Sequence, residues 1–234
     1  MRNRHVGNIG DFGKLALLRH LMESRRLAVC WYLTTGDGEN KHHETYCEYL
    51  KRSGEFHHLA PEIFDALRNI INTGFTDSRD VAALETRGLL DGALFHREEV
   101  PTLDALCQKW SEELIITVCR ADLVFLDPDN GIQGTRLTPK QSGSEIAALR
   151  RDDRALVIFQ RHSGRRSEPK FLADRLRSLG CRRIEFLHFR LASPRFYVIA
   201  DHDAETSKRT AEFAGKVGKL GQDLPLLDTT NKET

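Results

Sequence analysis

The sequence predicts an α/β fold, with a mainly parallel sheet, helices on both faces and an antiparallel last strand. Short apolar runs typical of strands alternate with longer segments whose apolar residues recur every three or four positions, as in amphipathic helices. Such alternation is typical of parallel α/β sheets. The last two apolar runs, 183–189 and 195–200, have no helical segment between them, so we expect that pair to be antiparallel.

Local signals place the individual elements. Asp11 is a suitable N-cap for the first helix, Pro61 suits the first turn of a second helix, and Gly180 is a typical helix stop. Periodicity predicts strands at 27–33, 81–85, 93–96, 123–126, 155–160, 183–189 and 195–200. Helices are predicted after Asp11 and at 61–72, 102–119, 144–150, 169–179 and 205–217.

The chain is interpreted as one domain. Its 234 residues are 40% hydrophobic, which is enough to fill a sizeable core. The polar segment at about 39–75 interrupts the alternation after the first strand, so we expect a helical and loop insertion within a domain spanning 1–220. The polar end, 221–234, is predicted to be a loose tail.

Charge and cysteine usage exclude several classes of protein. The formal net charge of +1 gives no global attraction to nucleic acid or membranes, and no apolar run approaches the ~18 residues of a membrane span. Arg2 and Arg4 lead into polar residues and glycine, so no signal peptide is expected. The five cysteines form no C-x-x-C pair. These features predict a cytoplasmic protein with free thiols.

Polar residues follow the continuous apolar run at 123–126, which is typical of a strand buried on both faces. Asp127, Asp129 and Asn130 come directly after it. In open α/β sheets, ligands bind just beyond the carboxyl ends of the strands, so these three residues are candidate catalytic residues. Alternatively they form only a tight turn, since Asp, Asn, Pro and Gly are the usual turn formers.

The N-terminus carries a second cluster of polar residues, with His5, Gly7, Asn8, Asp11 and Lys14 in the pattern His-x-Gly-Asn-x-x-Asp-x-x-Lys. Lys14 is either a solvated helix charge or a cation for a ligand carboxylate. The pattern resembles the N-terminal motif of the bacterial 23S ribosomal RNA adenine-N6 methyltransferases. In that family the motif helps to hold S-adenosylmethionine, so the resemblance implies that His5, Asn8, Asp11 and Lys14 bind this cofactor.

Two further landmarks agree with this family in order and approximate spacing. The family's first strand ends in an acidic, glycine-rich cofactor loop, whose place is taken here by Thr34, Gly36 and Asp37. Its later Asp-Pro-Pro-aromatic motif holds the target amino group, and here that place is taken by Asp127 through Asn130. Thr34 stands where the family has an acid, and Asn130 stands where it has the aromatic residue. The resemblance implies a methyltransferase-like, Rossmann-type sheet.

Glu85 is a further candidate cofactor residue. It ends the predicted strand 81–85. An acid at the end of the second strand commonly binds the cofactor ribose in methyltransferase-like folds, and the same logic operates in dinucleotide-binding folds. The alternative is a solvated glutamate at the end of an element.

Basic residues outnumber acidic ones between positions 150 and 195. Arg161, His162, Arg165 and Arg166 follow the predicted strand 155–160, which places them at the same edge of the sheet as Asp127. Clustered positive charge of this kind suits phosphate contacts, so RNA or DNA is a candidate partner. Alternatively these charges are only surface decoration.

Three hypotheses follow. In the leading one, the protein binds S-adenosylmethionine and transfers a methyl group to a nucleic acid or nucleotide, with Asp127 and Asn130 orienting the acceptor. The second is a magnesium-dependent nuclease or phosphohydrolase that uses Asp127 and Asp129 as hard oxygen ligands. The third is a non-catalytic binding module on the same scaffold.

Overall fold

A seven-stranded sheet forms the centre of the structure, a computed structural model that describes residues 6–34, 47–72, 80–102, 104–128, 132, 143–161, 169–189, 194–199, 203–218 and 221–222. Within these residues the strands are β1 (Leu27–Cys30), β2 (Leu94–His96), β3 (Leu123–Leu126), β4 (Ala155–Arg161), β5 (Ile184–Phe189), β6 (Pro194–Ile199) and β7 (Gly221–Gln222). Their order across the sheet is β2-β1-β3-β4-β6-β5-β7.

The strand directions confirm the predicted fold class. Strands β2, β1, β3 and β4 are parallel, with Cys30 of β1 opposite both His96 of β2 and Leu126 of β3. Strand β6 is antiparallel to both β4 and β5 and lies between them. The antiparallel strand was expected to be the last in the chain, but β7 follows it and pairs antiparallel with β5.

Helices cover both faces of the sheet, as predicted. Their bounds are α1 (Ile9–Leu21), α2 (Ser53–Phe56), α3 (Pro61–Asn72), α4 (Val81–Thr86), α5 (Asp104–Thr117), α6 (Gly143–Leu149), α7 (Pro169–Ser178) and α8 (Ala204–Val217), with 3-10 turns at Met22–Ser24, Glu48–Lys51 and His57–Leu59. Helices α1, α3, α4 and α8 pack on one face through residues such as Phe12, Phe64 and Phe213. Helices α5, α6 and α7 pack on the other face through Leu114, Ile146 and Leu176.

The prediction of a strand at 81–85 is wrong, because these residues form α4. Asp80 caps that helix, and its side chain accepts a hydrogen bond from the Ala82 N–H at 3.0 Å. Val81 and Leu84 are three positions apart, so both lie on the same face of the helix, and both are buried. A short apolar run fits a buried strand and a buried helix equally well, and here the cap decides between them.

The start of α1 also differs from the prediction. Asn8, not Asp11, is the N-cap, and its side chain accepts a hydrogen bond from the Asp11 N–H at 3.0 Å. Asp11 lies in the first turn, and its carboxylate accepts the Gly7 N–H at 3.0 Å. Asn8 therefore satisfies one of the N–H groups at the helix start that need partners, and Asp11 reaches back to the residue before the N-cap.

Other expectations concern single segments. Strand β1 ends at Cys30, shorter than the predicted 27–33. Residues 47–72 of the predicted insertion are helical, and two residues of the predicted tail form β7. All five cysteines are free thiols, as expected.

In the part of the chain that the structure describes, we find no helix with the length and apolar character needed to cross a membrane.

Candidate active site at the carboxyl edge of the sheet

Asp127 lies at the topological switch point of the sheet. The chain leaves β1 for β2 on one side and returns to β3 on the other side. Open α/β sheets bind ligands at the carboxyl ends of strands at such a point. Asp127 follows β3 directly, and its N–H donates a hydrogen bond to the carbonyl of Cys30, the last residue of β1, at 3.0 Å. The backbone therefore fixes Asp127 between the ends of these two strands, at what we term the carboxyl edge.

Lys14 of α1 meets Asp127 at this edge. The Lys14 Nζ lies 2.8 Å from Asp127 Oδ2 and 3.3 Å from Asp11 Oδ1. It also lies 4.2 Å from the centre of the Phe159 ring on β4, within the range of a cation–π contact. The exposed fractions of Asp11, Lys14 and Asp127 are only 1%, 5% and 3%. These three residues form a buried acid–lysine cluster.

Two acidic side chains share one ammonium group in this cluster. Burial raises the pKa of Asp11, against the opposing effect of the neighbouring Lys14 ammonium. Burial acts to lower the pKa of Lys14, but the carboxylates of Asp127 and Asp11 outweigh it and raise the pKa above its usual value. Lys14 therefore stays charged at neutral pH and holds both acids.

The sequence motifs at the two ends of this contact are 113 residues apart. The resemblance assigned the N-terminal motif to the cofactor and the residues after β3 to the acceptor. The structure pairs Lys14 of the first motif with Asp127 of the second, and Asp11 of the first motif contacts the same ammonium. Asn8 is one step further away, where its side chain accepts the Asp11 N–H. The Lys14 ammonium, interpreted from the sequence as either a solvated helix charge or a cation for a ligand carboxylate, is paired with two protein carboxylates.

Several predicted site residues lie outside the described part of the chain: His5, Gly36, Asp37, Asp129, Asn130, His162, Arg165 and Arg166. Thr34 is described and is half-buried just beyond the end of β1. The segments after β1 and β2 pair there, because the Val100 N–H donates to the Leu33 carbonyl at 2.8 Å. Arg161 is the last residue of β4, which places its backbone at the carboxyl edge, as predicted.

Glu85 does not end a strand, because it lies on α4. Its carboxylate accepts hydrogen bonds from Trp31 Nε1 at 3.0 Å and from Arg97 Nε at 2.6 Å. Trp31 follows β1 and Arg97 follows β2, so Glu85 links the ends of these two strands. Both carboxylate oxygens are used in this link, which gives Glu85 a structural role at the edge of the site.

Sequence reasoning missed Glu98 and Glu99. They follow β2, the actual second strand, and both are exposed. They occupy the place for which Glu85 was proposed, since an acid after the second strand can accept hydrogen bonds from ribose hydroxyls. The weak signal that could have found them was the predicted strand at 93–96, which was passed over in favour of 81–85.

Two other residues lie at the carboxyl edge. Tyr32 is buried just beyond β1 and has a positive φ of 46°. Residues other than glycine rarely adopt this backbone conformation, and it is often found at functional sites. Gln160 of β4 is 1% exposed, and its Oε1 accepts the Ile132 N–H at 2.7 Å. Gln160 therefore holds the Ile132 backbone against β4.

The basic segment 150–195 is divided between opposite edges of the sheet. Arg154 precedes β4, at the edge away from Asp127, and it is buried. Its guanidinium donates to four backbone carbonyls at 2.8 to 3.1 Å, those of Ala121, Leu149, Val118 and Cys119. Arg182 and Arg183 precede β5 at that same far edge. Only part of the positive charge can therefore face a ligand at Asp127.

The proposed magnesium ligands gain no support from this geometry. The Lys14 ammonium 2.8 Å from Asp127 would repel a divalent cation placed on the same carboxylate. Among the residues that the structure describes, no group of three His, Cys, Asp or Glu side chains is arranged to hold a metal ion. Asp129, the second proposed ligand, is not among those residues.

Two solved structures are distantly similar to this chain. No protein-family model matches the sequence, and no curated protein matches it. A solved protein of Legionella pneumophila assigned to the family DUF519 is 12% identical, with a TM-score of 0.49 over 92% of this chain and 93% of that one. An O-methyltransferase family protein from Burkholderia thailandensis is 9% identical, with a TM-score of 0.40 over 82% of this chain and 56% of that one.

Proposed function

We propose that this chain is a methyltransferase that binds S-adenosylmethionine and methylates an amino group of a nucleic acid or nucleotide. The observation that carries the proposal is the 2.8 Å contact between Lys14 and Asp127. It joins the two motifs of the family resemblance in one buried cluster at the switch point of the sheet. Enzymes with this architecture place their chemistry at that point.

The residues beyond β1 and β2 suit the cofactor. Thr34 follows β1, and the exposed carboxylates of Glu98 and Glu99 follow β2. In the proposal, Thr34 lies beside the cofactor, and one of the two glutamates accepts hydrogen bonds from its ribose hydroxyls. The cofactor supplies an electrophilic methyl group, and the protein supplies alignment and electrostatics.

The charge of the acid–lysine cluster suits an amine acceptor. A neutral amine gains positive charge as it takes a methyl group, and a fixed negative charge nearby stabilises that change. Asp127 is the member of the cluster that follows β3, so in the proposal its carboxylate accepts a hydrogen bond from the acceptor amine. Lys14 holds that carboxylate in place through their 2.8 Å ion pair.

We propose that Arg161, together with Arg165 and Arg166, contacts phosphates of the acceptor. Neutralised phosphates release counterions, so affinity for RNA or DNA should fall steeply with salt. Replacing the three arginines with alanine is expected to flatten that salt dependence in a filter-binding titration. The matched control replaces Arg151, Arg182 and Arg183, which lie at the far edge. Equal slopes for both triple variants would contradict a phosphate surface at the carboxyl edge.

A labelling experiment tests the proposed activity. The protein is incubated with S-adenosylmethionine that carries a tritiated methyl group. One reaction contains unmodified RNA transcribed in vitro, and a separate reaction contains unmodified DNA amplified in vitro. We expect label in one of the two polymers, in a nucleoside methylated on an exocyclic amino group. A third reaction contains free nucleotides as the acceptor. Absence of label from RNA, DNA and nucleotides would contradict the proposal.

A further inference from the structure

The backbone carbonyl of Gly7 receives two hydrogen bonds from the inserted segment. The Tyr49 hydroxyl donates to it at 3.1 Å, and the Cys47 thiol lies 3.6 Å from it. All three residues are buried. Both donors belong to the helical stretch 47–72, far in sequence from the residues they hold.

The same glycine is connected to the acid–lysine cluster. The Gly7 N–H donates to Asp11 Oδ2 at 3.0 Å, and the other oxygen of Asp11 lies 3.3 Å from the Lys14 ammonium. Lys14 in turn pairs with Asp127. A continuous series of polar contacts therefore leads from the Tyr49 hydroxyl to the carboxylate that we propose to contact the acceptor.

Close packing holds Gly7 from the side as well. Its φ is +92°, and a Cβ atom placed on it would lie 2.6 Å from the Ile71 side chain of α3. The Tyr49 ring is fixed by its neighbours, with centroid distances of 5.5 Å to Phe12, 5.6 Å to Phe56 and 6.1 Å to Phe64. These aromatic contacts fix the orientation of the Tyr49 ring and therefore the direction of its hydroxyl.

We infer that Tyr49 is a positioning residue for the candidate active site: its hydroxyl fixes the Gly7 peptide, which holds Asp11, and through Asp11 it orients Lys14 and Asp127. Tyr49 does not contact the reacting atoms in this account. The consequence for catalysis rests on the proposed function. The positioning itself concerns only contacts within the chain and can be tested without cofactor.

The variant Tyr49→Phe removes the hydroxyl and keeps the ring in its aromatic cluster. The Gly7 carbonyl then loses its shorter hydrogen bond, and the Gly7 N–H is less firmly directed at Asp11. That N–H lowers the pKa of Asp11, against the larger effect of burial. We therefore expect the pKa of Asp11 to rise in Tyr49→Phe. Cys47→Ala removes the longer contact and should give a smaller rise in the same direction.

Thr210→Val is the matched control. Thr210 is fully buried on α8, and its hydroxyl donates to the Thr206 carbonyl at 2.8 Å. The substitution therefore also deletes one buried hydroxyl-to-carbonyl hydrogen bond, in a helix whose Arg209 contacts the carboxyl-terminal end of α1 at His20. A loss of stability common to any such deletion appears in both variants.

The test is a carbon-13 NMR titration of the Asp11 carboxyl, assigned with Asp11→Asn, in the full chain and its three variants. The expected result is an upward shift of the Asp11 midpoint in Tyr49→Phe, a smaller shift in Cys47→Ala and no shift in Thr210→Val. An unchanged midpoint in Tyr49→Phe, or an equal shift in Thr210→Val, would overturn the inference. If the midpoints move as expected but S-adenosylmethionine does not bind, the positioning role stands and the proposed function fails.

Discussion

Replacing Lys14 with methionine is expected to destabilise the protein by about 3–5 kcal/mol, because two buried carboxylates then lose the cation that they share. With all groups ionised, the acid–lysine cluster goes from one excess negative charge to two. Urea unfolding followed by circular dichroism measures the change. A loss this large would place Lys14 among the residues on which folding depends and would exclude a solvated helix charge, one of the two interpretations of the sequence.

Double substitution provides the control for this prediction. Asp127→Asn alone leaves Lys14 paired with Asp11, so no buried charge is left uncompensated and we expect a clearly smaller loss than for Lys14→Met. In Lys14→Met with Asp127→Asn, a single carboxylate stays unpaired, and part of the lost stability should return. Residues in one ion-pair network are strongly non-additive. Additive effects, or a loss under about 1 kcal/mol for Lys14→Met, would show that the three side chains do not form the network described.

Asp127→Asn is expected to reduce methyl transfer by about 10²–10³-fold while cofactor binding and folding are kept, because it removes a charge aimed at the acceptor. The amide keeps the shape of the carboxylate but cannot supply the negative charge that stabilises a developing cation. The assay is transfer of labelled methyl from S-adenosylmethionine, with cofactor affinity measured on the same preparation.

Asp122→Asn is the control for that variant. Asp122 precedes β3 at the opposite end of the same strand, and it accepts the Arg26 N–H at 2.7 Å. We expect its transfer rate to match that of the parent chain. Undiminished transfer in Asp127→Asn would instead mean that Asp127 is only a turn residue, which was the alternative interpretation of the sequence.

The fold class could be predicted from the sequence because apolar periodicity depends on local geometry. Helix α3 has the predicted bounds, and four predicted strands between 123 and 200 lie within one or two residues of the observed ones. The error at 81–85 has the same origin, since a run of four apolar residues does not show its period. A capping residue such as Asp80 decides such cases and is visible in the sequence.

The acid–lysine cluster could not be predicted in the same way. The sequence predicted a helix after Asp11, but α1 begins at Ile9, is covered on several sides and buries Asp11 and Lys14 together with its apolar residues. The partner of Lys14 is 113 residues away, and only the order of the strands brings it near. Local sequence signals carry no information about such a contact.

The basic segment could be found from the sequence, but the positions of its charges on the sheet could not. Its composition suggested one phosphate-binding surface, but charges that are near in sequence separate when a strand carries the chain across the sheet. Arg154 and Arg161 are at opposite ends of β4, and Arg154 is used to hold backbone carbonyls at the ends of two helices. The strand order and directions determine at which edge of the sheet each charge lies, and amino-acid composition does not reveal them.

Isothermal titration calorimetry with S-adenosylmethionine tests the central claim most directly. The account predicts saturable binding to the parent chain at one site per molecule, retained in Asp127→Asn and weakened in Glu98→Gln with Glu99→Gln. Glutamine keeps an acceptor oxygen but loses the charge, and a hydrogen bond to a charged group is worth about 1 kcal/mol more than a neutral one, so the double glutamine variant should bind roughly fivefold more weakly. No heat of binding at millimolar cofactor, with the parent chain folded, would contradict the account.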